Sequence, residues 1–269
     1  LCAQKKVATQ NCYKDNITAP TFGKHKLTFI ISYQKSVCPT TIIVMMQVRA
    51  KKHLGQHFLR DLEVARRIAA SLPLDGQTPV LEIGPGTGVL TQFLLQNPDL
   101  DLTAVELDHE SVLYLNVHFP QLKVVEADFL KLDLKTLFSD KFCIIGNLPY
   151  NISSQIFFKM LDNRDSIPCL VGMIQKEVAE RMAAKSGSKT YGILSVLMQA
   201  FYTIDYLFTV HEHVFDPPPK VKSAVIRLTR NEVQHMGCNE QLFKTVVKTA
   251  FNQRRKTLRN SLKPLVAKD

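Results

Sequence analysis

The chain has 269 residues, enough for one large domain and a smaller one. Its apolar fraction of 45% is ordinary for a globular protein, and no run approaches 18 consecutive apolar residues, so no transmembrane helix is expected. A formal net charge of +10 favours a polyanionic partner such as nucleic acid; the six cysteines show no C-x-x-C pair or Cys/His cluster, which argues against a metal site and for a reducing, intracellular setting.

Residues 1–44 carry six Lys, one Asp and half of the cysteines, with no sustained periodicity and no arginine before Arg49. This composition reads as an uncertain leader, disordered or outside the native domain, with the functional protein starting near Met45. The basic segment from Gln47 to Leu59 reads QVRAKKHLGQHFL, and its Lys51 and Lys52 are candidates for phosphate contact. Asp61 is placed to cap a helix whose apolar positions are Leu62, Ala65, Ile68, Ala69 and Leu72, with Pro73 and Gly76 as stop signals.

A βα alternation follows. Apolar runs at Val80–Ile83, Leu102–Leu107, Lys123–Ala127, Phe142–Gly146 and Cys169–Ile174 read as five strands of an open parallel sheet. The first runs into Gly84-Pro85-Gly86-Thr87-Gly88 and then an apolar pattern at helical spacing. That is the opening of a nucleotide-binding unit, yet the spacing is G-x-G-x-G rather than G-x-G-x-x-G. Glu82, just before the turn, would repel a pyrophosphate and suits a cationic ligand. S-adenosylmethionine, with a sulfonium, an ammonium and no phosphate, matches that demand. Ligands of such sheets bind at the carboxyl ends of the strands, so Gly84, Gly86, Glu106, Asp128 and Asn147 are expected to face one cleft. Glu106 is placed for ribose hydroxyls and Asp128 for an adenine amino group. Further on, Gln175–Ala184 reads as an amphipathic helix, and Ile204–Val210 with Val221–Leu228 as an antiparallel pair closing the sheet.

Asn147-Leu148-Pro149-Tyr150 has a plain reading as a strand-ending turn. Its chemical reading is an amine-methylation site: the Asn147 side chain and the Leu148 carbonyl accept the amino protons, and Tyr150 stacks on the base. Transfer would be a direct displacement aided by alignment and electrostatics.

The set GQHFL, EIGPGTGVLT, VELD, EADFL and NLPYNISS resembles the KsgA/Dim family of ribosomal RNA adenine dimethyltransferases. VFDPPPKVKSAV (Val214–Val225), QKEVAERM, YGILSV and FNQRRKTLRNSL extend the resemblance from about Lys51 to Leu262. It implies an α/β, seven-stranded Rossmann-like methyltransferase fold over residues 45–230. A basic helical domain, cut short, would occupy 231–269. It also implies S-adenosylmethionine as cofactor, held by His57, Leu59, Gly84, Glu106, Asp128 and Asn147, and base handling by Asn147, Leu148, Tyr150 and Phe215, the last two as a sandwich. The substrate would be two adjacent adenosines in a hairpin near the 3′ end of small-subunit ribosomal RNA, met in a pre-ribosomal 30S-type particle by a cytoplasmic monomer. Lys220, Lys222, Arg254, Arg255 and Arg259 join the arm as candidate RNA contacts. His57 stands where many family members have Asn, at a position where a backbone group suffices. The rivals are an Erm-type methyltransferase of large-subunit RNA and a non-catalytic nucleic-acid-binding factor on the same fold.

Overall fold

The computed structural model describes residues 48–73, 79–98 and 100–266. The expectations for residues 1–44 and for Gly76 lie outside them. The expected Asp61 cap is made: its carboxylate accepts from the N–H groups of Glu63 (2.9 Å) and Val64 (3.1 Å). These bonds satisfy two of the four free donors at the start of helix α1, Leu62–Ala70. Before it, a two-residue strand β1 (Phe58–Leu59) ends the basic arm.

The apolar runs form β2 (Val80–Ile83), β3 (Leu102–Glu106), β4 (Lys123–Glu126), β5 (Cys143–Asn147) and β6 (Cys169–Gln175). Helices α2 (Thr91–Leu94), α3 (His109–His118) and α4 (Ser153–Asp162) lie between them, and α5 (Lys176–Met182) and α6 (Ile193–Gln199) follow. The chain continues through β7 (Tyr202–Val210), β8 (Phe215–Asp216) and β9 (Ser223–Arg230) to α7 (Glu240–Asn252) and α8 (Leu258–Val266).

The main sheet has seven strands in the order β4-β3-β2-β5-β6-β9-β7. Strands β2 to β6 run parallel, and β9 is antiparallel to both its neighbours. The expected closing pair is therefore present, with β9 inserted between β6 and β7. The link between β7 and β9 carries β8, which pairs with β1 in a separate two-stranded sheet.

Alternation along the strands builds two cores. Leu81, Ile83 and Ile144 face one side with Phe157 and Met160 of α4; Val80, Cys143 and Ile145 face the other with Ile68 of α1. With helices on both faces, the central strands are buried on both sides and read as continuous apolar runs. The C-terminal helices share the first core through Phe243, Val247 and Phe251 of α7. Ion pairs tie α7 to the end of α4 and the loop after it, Arg164 to Glu240 (2.8 Å) and Lys244 to Asp162 (2.9 Å). From Val48 onward the described chain forms one compact unit. None of its helices is long and apolar enough to cross a membrane.

Candidate active site

The chain leaves β2 for β3 and β4 on one side, then returns to β5 on the other. The order reverses there, and a crevice opens at the carboxyl ends of β2 and β5. It holds a cavity of about 280 Å³ whose lining includes Gly84, Gly86, Glu106, Asp128, Asn147 and Tyr150. Gly84 adopts φ +65°, and a Cβ built on it would meet no atom within 4 Å. Only a residue without a side chain keeps that space open at that backbone angle. Below it, Gly146 lets β5 lie close to β2, since a Cβ there would come 2.5 Å from the Ile83 carbonyl oxygen.

Glu106 is nearly buried, and its carboxylate accepts three backbone N–H groups: Gly86 (3.0 Å), Leu107 (2.9 Å) and Asp108 (2.9 Å). Burial raises its pKa above the usual carboxylate value, and the three hydrogen bonds work against that rise. An ionised carboxylate has about four acceptor positions, which leaves one for a ligand hydroxyl. Asp128 is half-buried at the cavity wall, with one oxygen accepting from the Leu130 N–H at 2.9 Å. The loop that carries it is held by Lys159 of α4, whose ammonium donates to the carbonyls of Phe129 (2.6 Å), Leu130 (3.1 Å) and Leu132. Sequence reasoning passed over Lys159; a single cation within the apolar run IFFKML was the available signal.

Asn147 ends β5 with its side chain oriented by the arm. Its Nδ2 donates to the His57 carbonyl at 2.9 Å, which leaves Oδ1 free to accept. Leu148 is buried, its N–H donating to the Met173 carbonyl at 3.0 Å, and its side chain packs against Gly172. The Tyr150 hydroxyl is hydrogen-bonded to Ser223 at the start of β9, and its ring stacks on His57 with centroids 5.5 Å apart. The His57 ring is itself held, Nδ1 donating to the Pro217 carbonyl at 2.7 Å. His57 thus contributes through both backbone and ring, and the ring contact had no signal in the local sequence.

Four expected positions sit outside the cavity lining. Phe215 is 3% exposed, lies on β8 opposite Leu59 and packs in the second core; it does not face Tyr150 across the cavity. Leu59 is likewise buried and borders a small adjoining recess rather than the cavity. Glu82 reaches the same recess and is 1% exposed, with Oε2 accepting from the Thr91 hydroxyl at 2.7 Å. Burial pushes its pKa up to about 8, the Thr91 bond opposes this, and nearby Glu106 adds to it. The Glu82 carboxyl is turned to Thr91, in the recess that shares Gly84, Gly86 and Asn147 with the cavity. Lys51, expected to meet phosphate, is ion-paired with Asp108. Lys52, Lys220, Lys222, Arg254, Arg255 and Arg259 are all exposed.

A seven-stranded sheet with one antiparallel strand, a glycine turn at the switch point and acidic groups at successive strand ends defines an S-adenosylmethionine-dependent methyltransferase. The residues fit that cofactor: Gly84 leaves space, Glu106 keeps an acceptor for a hydroxyl, Asp128 lines the cavity with Lys131 3.7 Å from its second oxygen, and no phosphate has to be held. Residues 47–269 match the family model described as ribosomal RNA adenine dimethylase, and the chain belongs to that family. It is 68% identical to the ribosomal RNA small subunit methyltransferase A of Parabacteroides distasonis, over 84% of this chain and 85% of that protein. The enzyme of the same name from Bacteroides thetaiotaomicron is 64% identical over the same shares. Among solved structures, a dimethyladenosine transferase from Plasmodium falciparum aligns with TM-score 0.67 and 31% identity, over 77% of this chain and 75% of that one. The 23S ribosomal RNA methyltransferase ErmE aligns with TM-score 0.62 and 29% identity, over 76% and 83%.

Proposed function

We propose that this chain transfers methyl groups from S-adenosylmethionine to N6 of two adjacent adenosines in the 3′-terminal hairpin of small-subunit ribosomal RNA. It acts as a cytoplasmic monomer on a pre-ribosomal small-subunit particle. The observation that carries the reading is the orientation of Asn147: its amide donor is engaged by the His57 carbonyl, so its oxygen is the group left for an amino proton. The much higher identity to the small-subunit enzymes than to ErmE supports the choice of RNA.

When bound, S-adenosylmethionine supplies a methyl carbon activated by the adjoining sulfonium. The chain's own residues do the rest by position. Glu106 accepts a ribose hydroxyl and Asp128 an adenine amino group. Asn147 Oδ1 and the Leu148 carbonyl accept hydrogen bonds from the substrate N6 amino group, which draws that nitrogen toward tetrahedral geometry and frees its lone pair; the proton that each methyl group replaces passes to solvent. Tyr150, fixed through its hydroxyl by Ser223, offers its ring to the base, which must leave the RNA stack to reach it. No covalent bond to the protein is required.

The test is to incubate the protein and a labelled methyl donor with small-subunit particles, large-subunit particles and each naked RNA, then map modified adenosines by mass spectrometry. Two adjacent dimethylated adenosines near the small-subunit 3′ end are expected. Label confined to large-subunit RNA would overturn the reading.

A further inference from the structure

The arm residues His53 to Phe58 form one wall of the cavity. The backbone hydrogen bonds donated by Leu54, Gly55 and Gln56 all return to Lys51 or Lys52. Within the wall His57 is tied to Asn147 and Pro217, and beyond it the wall is fastened at its two ends. At the far end, β1 pairs with β8, the Arg60 N–H donates to the Val214 carbonyl at 2.8 Å, and the Arg60 side chain pairs with Asp216. At the near end the fastening is electrostatic. The Lys51 ammonium pairs with Asp108 and lies 3.4 Å from Glu110. Gln56 completes the knot, its Oε1 accepting from the Lys51 N–H at 2.8 Å and its Nε2 donating to Asp108 at 3.4 Å.

We propose that Lys51 is a positioning residue for the cofactor: by pairing with Asp108 it fastens the wall formed by the arm and sets how long the bound cofactor stays. This rests on reading the cavity as the cofactor site. Asp108 is suited to the role. Its side chain is only 2% exposed, so it needs partners, and besides Lys51 and Gln56 it accepts from the Ser111 hydroxyl at 3.1 Å and the Glu110 N–H at 3.3 Å. Burial pushes the Asp108 carboxyl up, but the hydrogen bonds from Lys51, Gln56 and Ser111 hold it below its ordinary value, so it stays ionised at neutral pH. Asp108 also lies two residues beyond Glu106 and donates its own N–H to that carboxylate at 2.9 Å. Wall and ribose acceptor are thus tied to one turn, and loosening either end of the knot opens the site on the side of Glu106.

The test compares the wild-type chain with Lys51→Met, Lys51→Arg and Glu106→Gln. Calorimetry gives the affinity for S-adenosylmethionine, stopped-flow competition with S-adenosylhomocysteine gives the release rate, and RNA binding is titrated against salt. Breaking a pair whose carboxylate is buried acts mainly on dissociation, so Lys51→Met is expected to weaken cofactor binding about tenfold through faster release. The RNA salt dependence should stay unchanged, and Lys51→Arg should restore most of the affinity. Two results would each overturn the proposal while leaving the cavity reading intact. In one, Lys51→Met keeps wild-type cofactor affinity while Glu106→Gln loses it. In the other, Lys51→Met weakens RNA binding with a shallower salt slope and leaves release unchanged, making Lys51 a phosphate contact. If neither Lys51→Met nor Glu106→Gln changes cofactor binding, the cavity reading itself fails and the proposal with it.

Discussion

Tyr150 and Glu106 line the same cavity and should fail differently when changed. Tyr150→Ala removes the platform for the base but no group assigned to the cofactor, so cofactor affinity should persist while turnover falls by about 10²-fold, the cost typical of a misplaced reactant. Glu106→Gln keeps the shape and loses the charged acceptor, which is expected to raise the cofactor Kd by roughly 10- to 100-fold. Calorimetry beside single-turnover rates separates the two. Glu82 gives a prediction of another kind. Its pKa is raised to about 8 in the folded chain by burial, so the folded state keeps a proton that the unfolded state releases in the ordinary carboxylate range. The folded form then binds more protons than the unfolded form between those values. The contribution of Glu82 to stability is accordingly present at low pH and declines as pH rises toward 8. Unfolding by urea at a series of pH values should show this decline, and Glu82→Gln should flatten it.

Among the elements, β5 is paired on both sides, with β2 and β6. Its last residues are Gly146 and Asn147, so the contact that lets two parallel strands approach sits beside the residue proposed to hold the substrate amine. A Cβ at Gly146 would press on the Ile83 carbonyl and on the Leu148 side chain. Because the first of these is backbone, relief requires the strand itself to shift. Gly146→Ala is expected to cost about 1–3 kcal/mol of stability, the usual range for overpacking, and to lower turnover by moving Asn147. Thermal unfolding and steady-state assays read the two effects separately. Between β7 and β9 the chain makes β8 rather than a tight hairpin, and β8 pairs with the arm through Leu59 and Phe215. The proline-rich segment therefore serves first to anchor the arm.

Across the whole molecule, the formal net charge of +10 favours a polyanionic partner. The exposed Lys220 and Lys222 follow β8 and the prolines after it, and Arg254, Arg255 and Arg259 lie between and on the C-terminal helices. If these side chains track the RNA backbone, replacing Lys220, Lys222, Arg255 and Arg259 by Gln should weaken RNA binding. It should also reduce the slope of log affinity against log salt by about 0.7–0.9 for each phosphate that is no longer neutralised. Filter binding at several salt concentrations measures this, with cofactor affinity as the control that should not move.

Local pattern alone reached the βα alternation, the glycine turn and the acidic strand ends. A parallel sheet puts all its carboxyl ends on one edge, so residues at the ends of separate strands meet without any knowledge of side-chain contacts. For the same reason Gly84, Glu106, Asp128, Asn147 and Tyr150 were legible as one site. The pairings that decide how the site is held were not legible. Lys51 with Asp108, Phe215 with Leu59 and the His57 carbonyl with Asn147 join residues far apart along the chain, and each of these side chains had several plausible partners. A lysine in a basic arm and a phenylalanine before three prolines carry no local mark of whether they face RNA, ligand or core. Packing settles that choice: once the arm lies along β8, Phe215 is covered, and once it reaches the end of β3, the buried carboxylate of Asp108 captures the nearest cation.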